Sequence, residues 1–204
     1  MAIPKGDKGG LFTYKDYRSW PADERWELIQ GIAYNMSPAP ARRHQGILSE
    51  LSVAFGVHFR DGSCKVYVAP FDVLLPDQAQ SVDESDTVVQ PDLVVVCDSS
   101  KLTRQGCTGA PDFVAEILSP ATAFKDMEDK LRVYERHGVR EYWIINPAND
   151  TLMVYSTVPA TGPEHTVGYH KPVLYTAGDC VSPRIFPGLS IDLTRLFDRD
   201  RDPS

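Results

Sequence analysis

Asp92, Glu116 and Lys130 are the residues of this 204-residue chain whose types and spacing best suit chemistry. Asp92 follows Pro91 at the start of the apolar run 90–97, Glu116 falls in a second run, 112–119, and Lys130 sits on a helix-like segment directly after it. Two carboxylates at strand ends with an ammonium nearby can hold a divalent cation and act on a phosphodiester. Mg²⁺ suits such a pair because it takes oxygen ligands and keeps several waters, and the backbone carbonyl of Ile117 is a reasonable third ligand. A carboxylate beside an apolar strand is costly unless it reaches water, a partner or a metal. Spacing alone still favours a simpler alternative, a strand-end Asp and a Glu on the polar face of a sheet.

Further candidates are weaker. Glu27 alternates with Trp26 and Leu28 in a first hairpin and faces away from them, so it either adds a carboxylate to the site or is exposed. His44, in the first turn of a helix, is a candidate catalyst that reads more simply as a capping or surface residue. Asp72 interrupts an apolar strand. With Met127, Leu131 and Tyr134 as the buried stripe of a helix over 123–137, Lys130 falls about 60° from the stripe's centre at 100° per residue. From that flank it can reach strand ends and stabilise charge developing on a phosphate, or simply pair with Asp126 one turn away.

The elements that must position these residues come from hydrophobic periodicity. A short helix fits 13–20, two strands joined at Gln30-Gly31 fit 25–36, and an amphipathic helix fits 41–60, with Ile47, Leu48, Leu51, Phe55 and Phe59 at helical spacing. Strands fit 65–75, 87–97 and 112–118, with the acidic stretch 83–86 as a solvated loop. The helix over 123–137 has Thr122 as a natural N-cap and Gly138 at its stop. Strands at 141–146 and 151–156 follow, then a loop over 157–170 and irregular strands over 171–197. Without regular βαβ alternation, this order predicts an α/β layer fold around a mixed sheet. Residues 1–10 read as a disordered lead, 11–197 as one domain and 198–204 as a charged tail.

Composition narrows the function. A net charge of −7 argues against a protein that coats nucleic acid non-specifically, though Arg42, Arg43, Lys101, Arg104, Lys125, Arg132, Arg136 and Arg140 could form a basic rim. No run approaches the about 20 apolar residues of a membrane span, and no secretory signal opens the chain. Cys64, Cys97, Cys107 and Cys180 lack any Cys-x-x-Cys pairing and read as reduced thiols of a cytoplasmic protein.

Several segments in order resemble a known family: residues 26–31, the Ser37-Pro38-Ala39-Pro40 turn with the following His44, and residues 70–73, 90–96, 116–122, Asp129-Lys130-Leu131 with Tyr134, and 138–147. Together they resemble the Uma-two family of restriction-endonuclease-like proteins, within the PD-(D/E)XK nuclease superfamily, over roughly residues 12–197. The resemblance implies a restriction-endonuclease-like core, a mixed sheet flanked by helices with an N-terminal β-hairpin. It also implies Mg²⁺ or Mn²⁺ at Asp92 and Glu116, and a metal-dependent endonuclease acting on DNA, by analogy as a homodimer. Pro91-Asp92 matches the superfamily's Pro-Asp, and Glu116-Ile117-Leu118 its (D/E)XK element, with Leu118 where the lysine belongs. Lys130 matches a lysine moved to the following helix, and Glu27 an additional superfamily Glu. The rival expectation is a nuclease-like scaffold that binds or assembles without turnover.

Overall fold

The computed structural model describes residues 11–21, 23–36, 39–157 and 168–198. Residues 1–10, Ser37-Pro38, most of the expected 157–170 loop and the tail beyond Asp198 lie outside the described residues. Thirteen strands are present among them: β1 (Trp26–Ile29), β2 (Ile32–Asn35), β3 (Lys65–Val68), β4 (Asp72–Leu74), β5 (Val88–Val89), β6 (Leu93–Val96), β7 (Gly106–Thr108), β8 (Phe113–Ile117), β9 (Glu141–Asn146), β10 (Thr151–Ser156), β11 (Val173–Thr176), β12 (Cys180–Val181) and β13 (Ile191–Asp192). The α-helices are α1 (Tyr14–Tyr17), α2 (Arg42–His58), α3 (Leu131–His137) and α4 (Leu193–Asp198), and a π-helical segment, Lys125–Lys130, leads into α3.

The strands form a mixed α/β architecture with two principal sheets rather than the single one expected. One has the order β2-β1-β5-β4-β7 and the other β11-β10-β9-β8-β6-β3, while β12 and β13 pair by themselves. Each principal sheet contains one parallel pair, β4 with β7 and β8 with β9. Two stretches that read as single strands are divided between the sheets. The 65–75 run turns at Ala69-Pro70, whose peptide is cis, and gives β3 to one sheet and β4 to the other. The 87–97 run breaks at Gln90-Pro91 into β5 and β6. Proline lacks the N–H that a continuous ladder needs, so both breaks have the same cause.

Period-two alternation sorts the larger sheet into two faces. Leu93, Val95, Phe113, Ala115, Trp143 and Ile145 pack with Ile47, Leu51 and Phe55 of α2 and with Leu193, Leu196 and Phe197 of α4. Each buried Val, Leu, Ile or Phe side chain among them contributes roughly 1.5–3 kcal/mol. The intervening Val94, Val96, Val114, Tyr142 and Ile144 face the other way, onto Ile29, Val73 and Val89 of the smaller sheet, the adjoining Leu75, and Val133 and Tyr134 of α3. The layers therefore run helices, large sheet, small sheet with α3. Glu116 shares parity with Val114, and Asp92 with Val94, so both carboxylates belong to the layer between the sheets.

Several local expectations are borne out with adjusted ends. The β1–β2 hairpin turns at Gln30 and Gly31, both at positive φ (50° and 79°), as a two-residue turn of this kind requires. Helix α2 lies within 41–60, and α3 stops at Gly138 in the left-handed region, φ 81°. The first helix is shorter than 13–20, the 83–86 stretch carries a 3₁₀ turn (Val82–Glu84), and the 171–197 region ends in α4. No described helix is long and apolar enough to cross a membrane.

The cysteines require a correction. Cys64 and Cys97 are joined in a disulfide, not held as thiols. The register pairs Lys65 with Val96, so Cys64 and Cys97 stand opposite one another, Cα atoms 3.8 Å apart. Cys180 is exposed; Cys107 is buried, and burial pushes its thiol up to about 12. A thiol reagent should thus label one cysteine of the native, unreduced protein (Cys180), two after denaturation and four after reduction. Thiol titration by mass spectrometry checks the sequence of counts; rapid native labelling of Cys107 would contradict it.

Candidate active site

The site begins where β6 and β8 run side by side. Leu93 pairs with Ala115 in the antiparallel ladder, which places Asp92 opposite Glu116. Asp92 extends that ladder with its side chain: its Oδ2 accepts the backbone N–H of Ile117 at 2.8 Å. The same oxygen lies 3.1 Å from Nε2 of His44, in the first turn of α2. His44 is buried, and among the described residues its Nδ1 has no hydrogen-bond partner. It is therefore neither a cap nor a surface residue, but a side chain packed against one of the two central carboxylates.

Glu116 is engaged through one oxygen. Its Oε1 accepts from Lys130 Nζ at 2.7 Å and from Tyr134 Oη at 3.1 Å. The other oxygen of each carboxylate, Asp92 Oδ1 and Glu116 Oε2, takes no hydrogen bond from the described residues.

Lys130 is the hub. Its ammonium lies 2.8 Å from Glu27 Oε1, 2.7 Å from Glu116 Oε1 and 3.4 Å from Asp126 Oδ1, and the residue is 1 % exposed. Glu27 comes from the smaller sheet, where it shares a face with Ile29 rather than with Trp26 and Leu28. It is fully buried, accepts the backbone N–H of Gln90 at 2.8 Å and forms a second ion pair with Lys125. The site thus assembles Asp92, Glu116, Lys130, Glu27 and His44, every side chain singled out in the sequence except Asp72.

The position of Lys130 corrects the helical-wheel expectation. Met127 is 38 % exposed and Leu131 only partly buried, whereas Lys125, Asp126, Lys130, Val133 and Tyr134 face inward. The cause is the π-helical winding of Lys125–Lys130, whose i→i+5 bonding widens each turn. Lys130 moves from the flank to the centre, and Lys125 and Asp126 come in beside it. Of the other expected rim cations, Arg43 pairs with Asp150, Arg132 with Glu128, Arg136 with Asp77 and Arg140 with Asp112. Lys101 donates to the carbonyl of Ala110. Lys125 is the one that joins the site.

Charge explains the titration of the group. Four carboxylates (Glu27, Asp92, Glu116, Asp126) face two ammoniums (Lys125, Lys130), so full ionisation leaves an excess of two negative charges. Burial would raise Glu27, but Lys130 and Lys125 overcome it and hold that carboxyl below its ordinary range. Burial raises Glu116 well above its usual value; Lys130 opposes this, and the Asp126, Asp92 and Glu27 carboxylates add to the rise. Asp126 is raised for the same first reason. Burial pulls the Lys130 ammonium down, yet the attraction of Glu116, Glu27 and Asp126 more than offsets it and holds the ammonium well above an ordinary lysine.

Asp72 stands one step back. Its Oδ1 accepts from Tyr17 Oη (3.0 Å) and Gln90 Nε2 (2.8 Å), and Gln90 Oε1 accepts from Arg25. Burial raises its carboxyl, against the pull of those two donors. A raised acid favours folding while protonated, and that contribution is lost as pH climbs through the folded pKa. An Asp72→Asn variant, which keeps the accepting oxygen, should match wild type in melting temperature under acidic conditions and exceed it at neutral pH. A gap that closes with rising pH would contradict this.

Comparison with known proteins agrees with this architecture. The fold is shared with a solved chain from Anabaena variabilis described as "a putative nuclease belonging to DUF820", at a TM-score of 0.70 and 20 % identity, covering 92 % of this chain and 98 % of that one. An uncharacterized protein of Synechocystis is 23 % identical over 144 residues, 69 % of this chain and 72 % of its own length. The Uma2 family, described as "Putative restriction endonuclease", matches residues 14–194, and the chain belongs to that family.

Proposed function

We propose that this protein is a metal-dependent endonuclease of the PD-(D/E)XK type that hydrolyses phosphodiester bonds in DNA. The observation that carries the reading is the pairing of Asp92 and Glu116 across adjacent strands, each with one uncommitted oxygen, inside a cluster two positive charges short of neutrality. Mg²⁺ or Mn²⁺ fits that deficit and that donor chemistry. Among the described residues no group of three His, Cys, Asp or Glu side chains is arranged to hold a metal ion, so the ion would be held by Asp92, Glu116 and the Ile117 carbonyl, its remaining positions open to water and substrate. Such an ion supplies Lewis-acid polarisation and a more acidic water.

The chain's own residues then divide the work. His44 and the Ile117 N–H fix Asp92 so that Oδ1 stays available. Lys130 and Tyr134 fix Glu116, and the Lys130 charge offsets negative charge developing at the site. Gln90 and Lys125 hold Glu27 against Lys130. A homodimer, with one site for each strand of a duplex, completes the reading.

Relaxation of supercoiled plasmid by purified protein, with Mg²⁺ or Mn²⁺ and with chelator, tests it. Activity that needs the ion supports the reading, and none above background removes it. Two observations favour a second reading, a nuclease-like scaffold without turnover: Leu118 stands at the superfamily's lysine position, and the buried Lys130 ammonium is ion-paired with three carboxylates. If Mg²⁺ and Mn²⁺ also leave the melting temperature unchanged, this second reading gains.

A further inference from the structure

The cation that meets a substrate phosphate need not be the one at the centre of the cluster. The Lys130 side chain is 2 % exposed, and its ammonium lies within 3.4 Å of three carboxylates. Glu27, Glu116 and Asp126 are equally closed off, at 0–4 %. Two members of the cluster reach solvent further: Asp92, at 17 %, and Lys125, at 10 %. An incoming polyanion can touch only what solvent can touch, and of the two lysines Lys125 is the one whose side chain solvent reaches further.

The surroundings of Lys125 suit that task. Among the described residues its Nζ has one carboxylate partner, Glu27 Oε2, against three for Lys130. Its second neighbour is the face of the Tyr34 ring, 5.6 Å from Nζ to centroid, which attracts a cation without neutralising it. Glu27 would not be stranded if Lys125 turned towards a ligand, because Lys130 and the Gln90 N–H still hold its other oxygen. The π-helical winding places Lys125 there, five residues before Lys130 and on the same inward face.

We infer that Lys125 is the substrate-binding lysine of this site, contacting a DNA phosphate directly, while Lys130 is a positioning residue that holds Glu27 and Glu116. This rests on the nuclease reading above. The test is binding of a short fluorescein-labelled DNA duplex across a salt series, with Ca²⁺ replacing Mg²⁺. Each phosphate contact contributes a slope of about −0.9 to log K against log salt. Lys125→Gln, which can still donate to Glu27, should lose about one unit of slope, and Lys125→Arg should keep it. In the wild-type protein, saturating duplex should also shield Lys125 from acetylation, a readout that needs no variant. An unchanged slope in Lys125→Gln, or acetylation of Lys125 unaffected by duplex, overturns the assignment while leaving the nuclease reading intact. If the wild-type protein does not bind duplex at all, both fall.

Discussion

Asp92→Ala and Glu116→Ala should each abolish ion-dependent plasmid nicking, a loss of at least about 10²-fold, the scale of removing several kcal/mol of metal-centred stabilisation. Each variant deletes one of the two uncommitted oxygens, carried by residues that the β6–β8 register sets opposite one another. The companion result separates function from folding. Glu116→Gln retains an acceptor for Lys130 and Tyr134 while removing one charge from a cluster with an excess of negative charge. Its melting temperature should equal or exceed that of wild type, even as nicking disappears. That opposition is the mark of a group kept for chemistry at a cost in stability. Variants that nick at the wild-type rate would remove Asp92 and Glu116 from the mechanism. A Glu116→Gln protein that unfolds would mean the carboxylate serves the fold instead.

Lys130→Ala should be the most destabilising single change in the site. It leaves Glu27, Glu116 and Asp126 buried with only Lys125 to offset them. Removing one partner from a buried ionic group costs about 3–5 kcal/mol, which for a chain of this length lowers the melting temperature by roughly 6–20 °C. Adding Glu116→Gln to Lys130→Ala should recover part of the loss, since the two residues are in direct contact and their effects are coupled. Calorimetry on the two single variants and the double variant measures that coupling. Strict additivity, or a Lys130→Ala protein as stable as wild type, would show that the ammonium is not the hub.

The site carboxylates were readable in the sequence because each is an anomaly against a simple pattern. Asp92 follows a proline at the head of an apolar run, and Glu116 breaks an apolar strand. Glu27 was readable through strand alternation, although its complete burial was not, because its partners lie about a hundred residues away. His44 gave little local sign of its role: contact with Asp92 depends on where α2 begins relative to β6. The division of two runs between two sheets had a signal in Pro70 and Pro91 that the hydrophobic pattern outweighed. The Cys64–Cys97 pairing follows from the β3–β6 register, which the sequence does not display. The inward placement of Lys125 and Asp126 was not legible for a geometric reason. A spacing of 100° per residue assumes α-helical winding, and the π-helical segment does not obey it. The charged pair at i, i+4 (Asp126 and Lys130), followed by Tyr134, was the available hint, and the exposed Met127 marks where the wheel failed.

The separation of Lys125 and Glu27 by 98 residues has a consequence for the timing of synthesis. Glu27 belongs to the first hairpin, whereas Lys125 and Lys130 follow the strand that carries Glu116. No N-terminal fragment ending before residue 130 contains the complete cluster. A ribosome must therefore release well over half the chain before a partly made protein has all the groups of the proposed site. Nascent chains that stall early therefore carry an incomplete cluster.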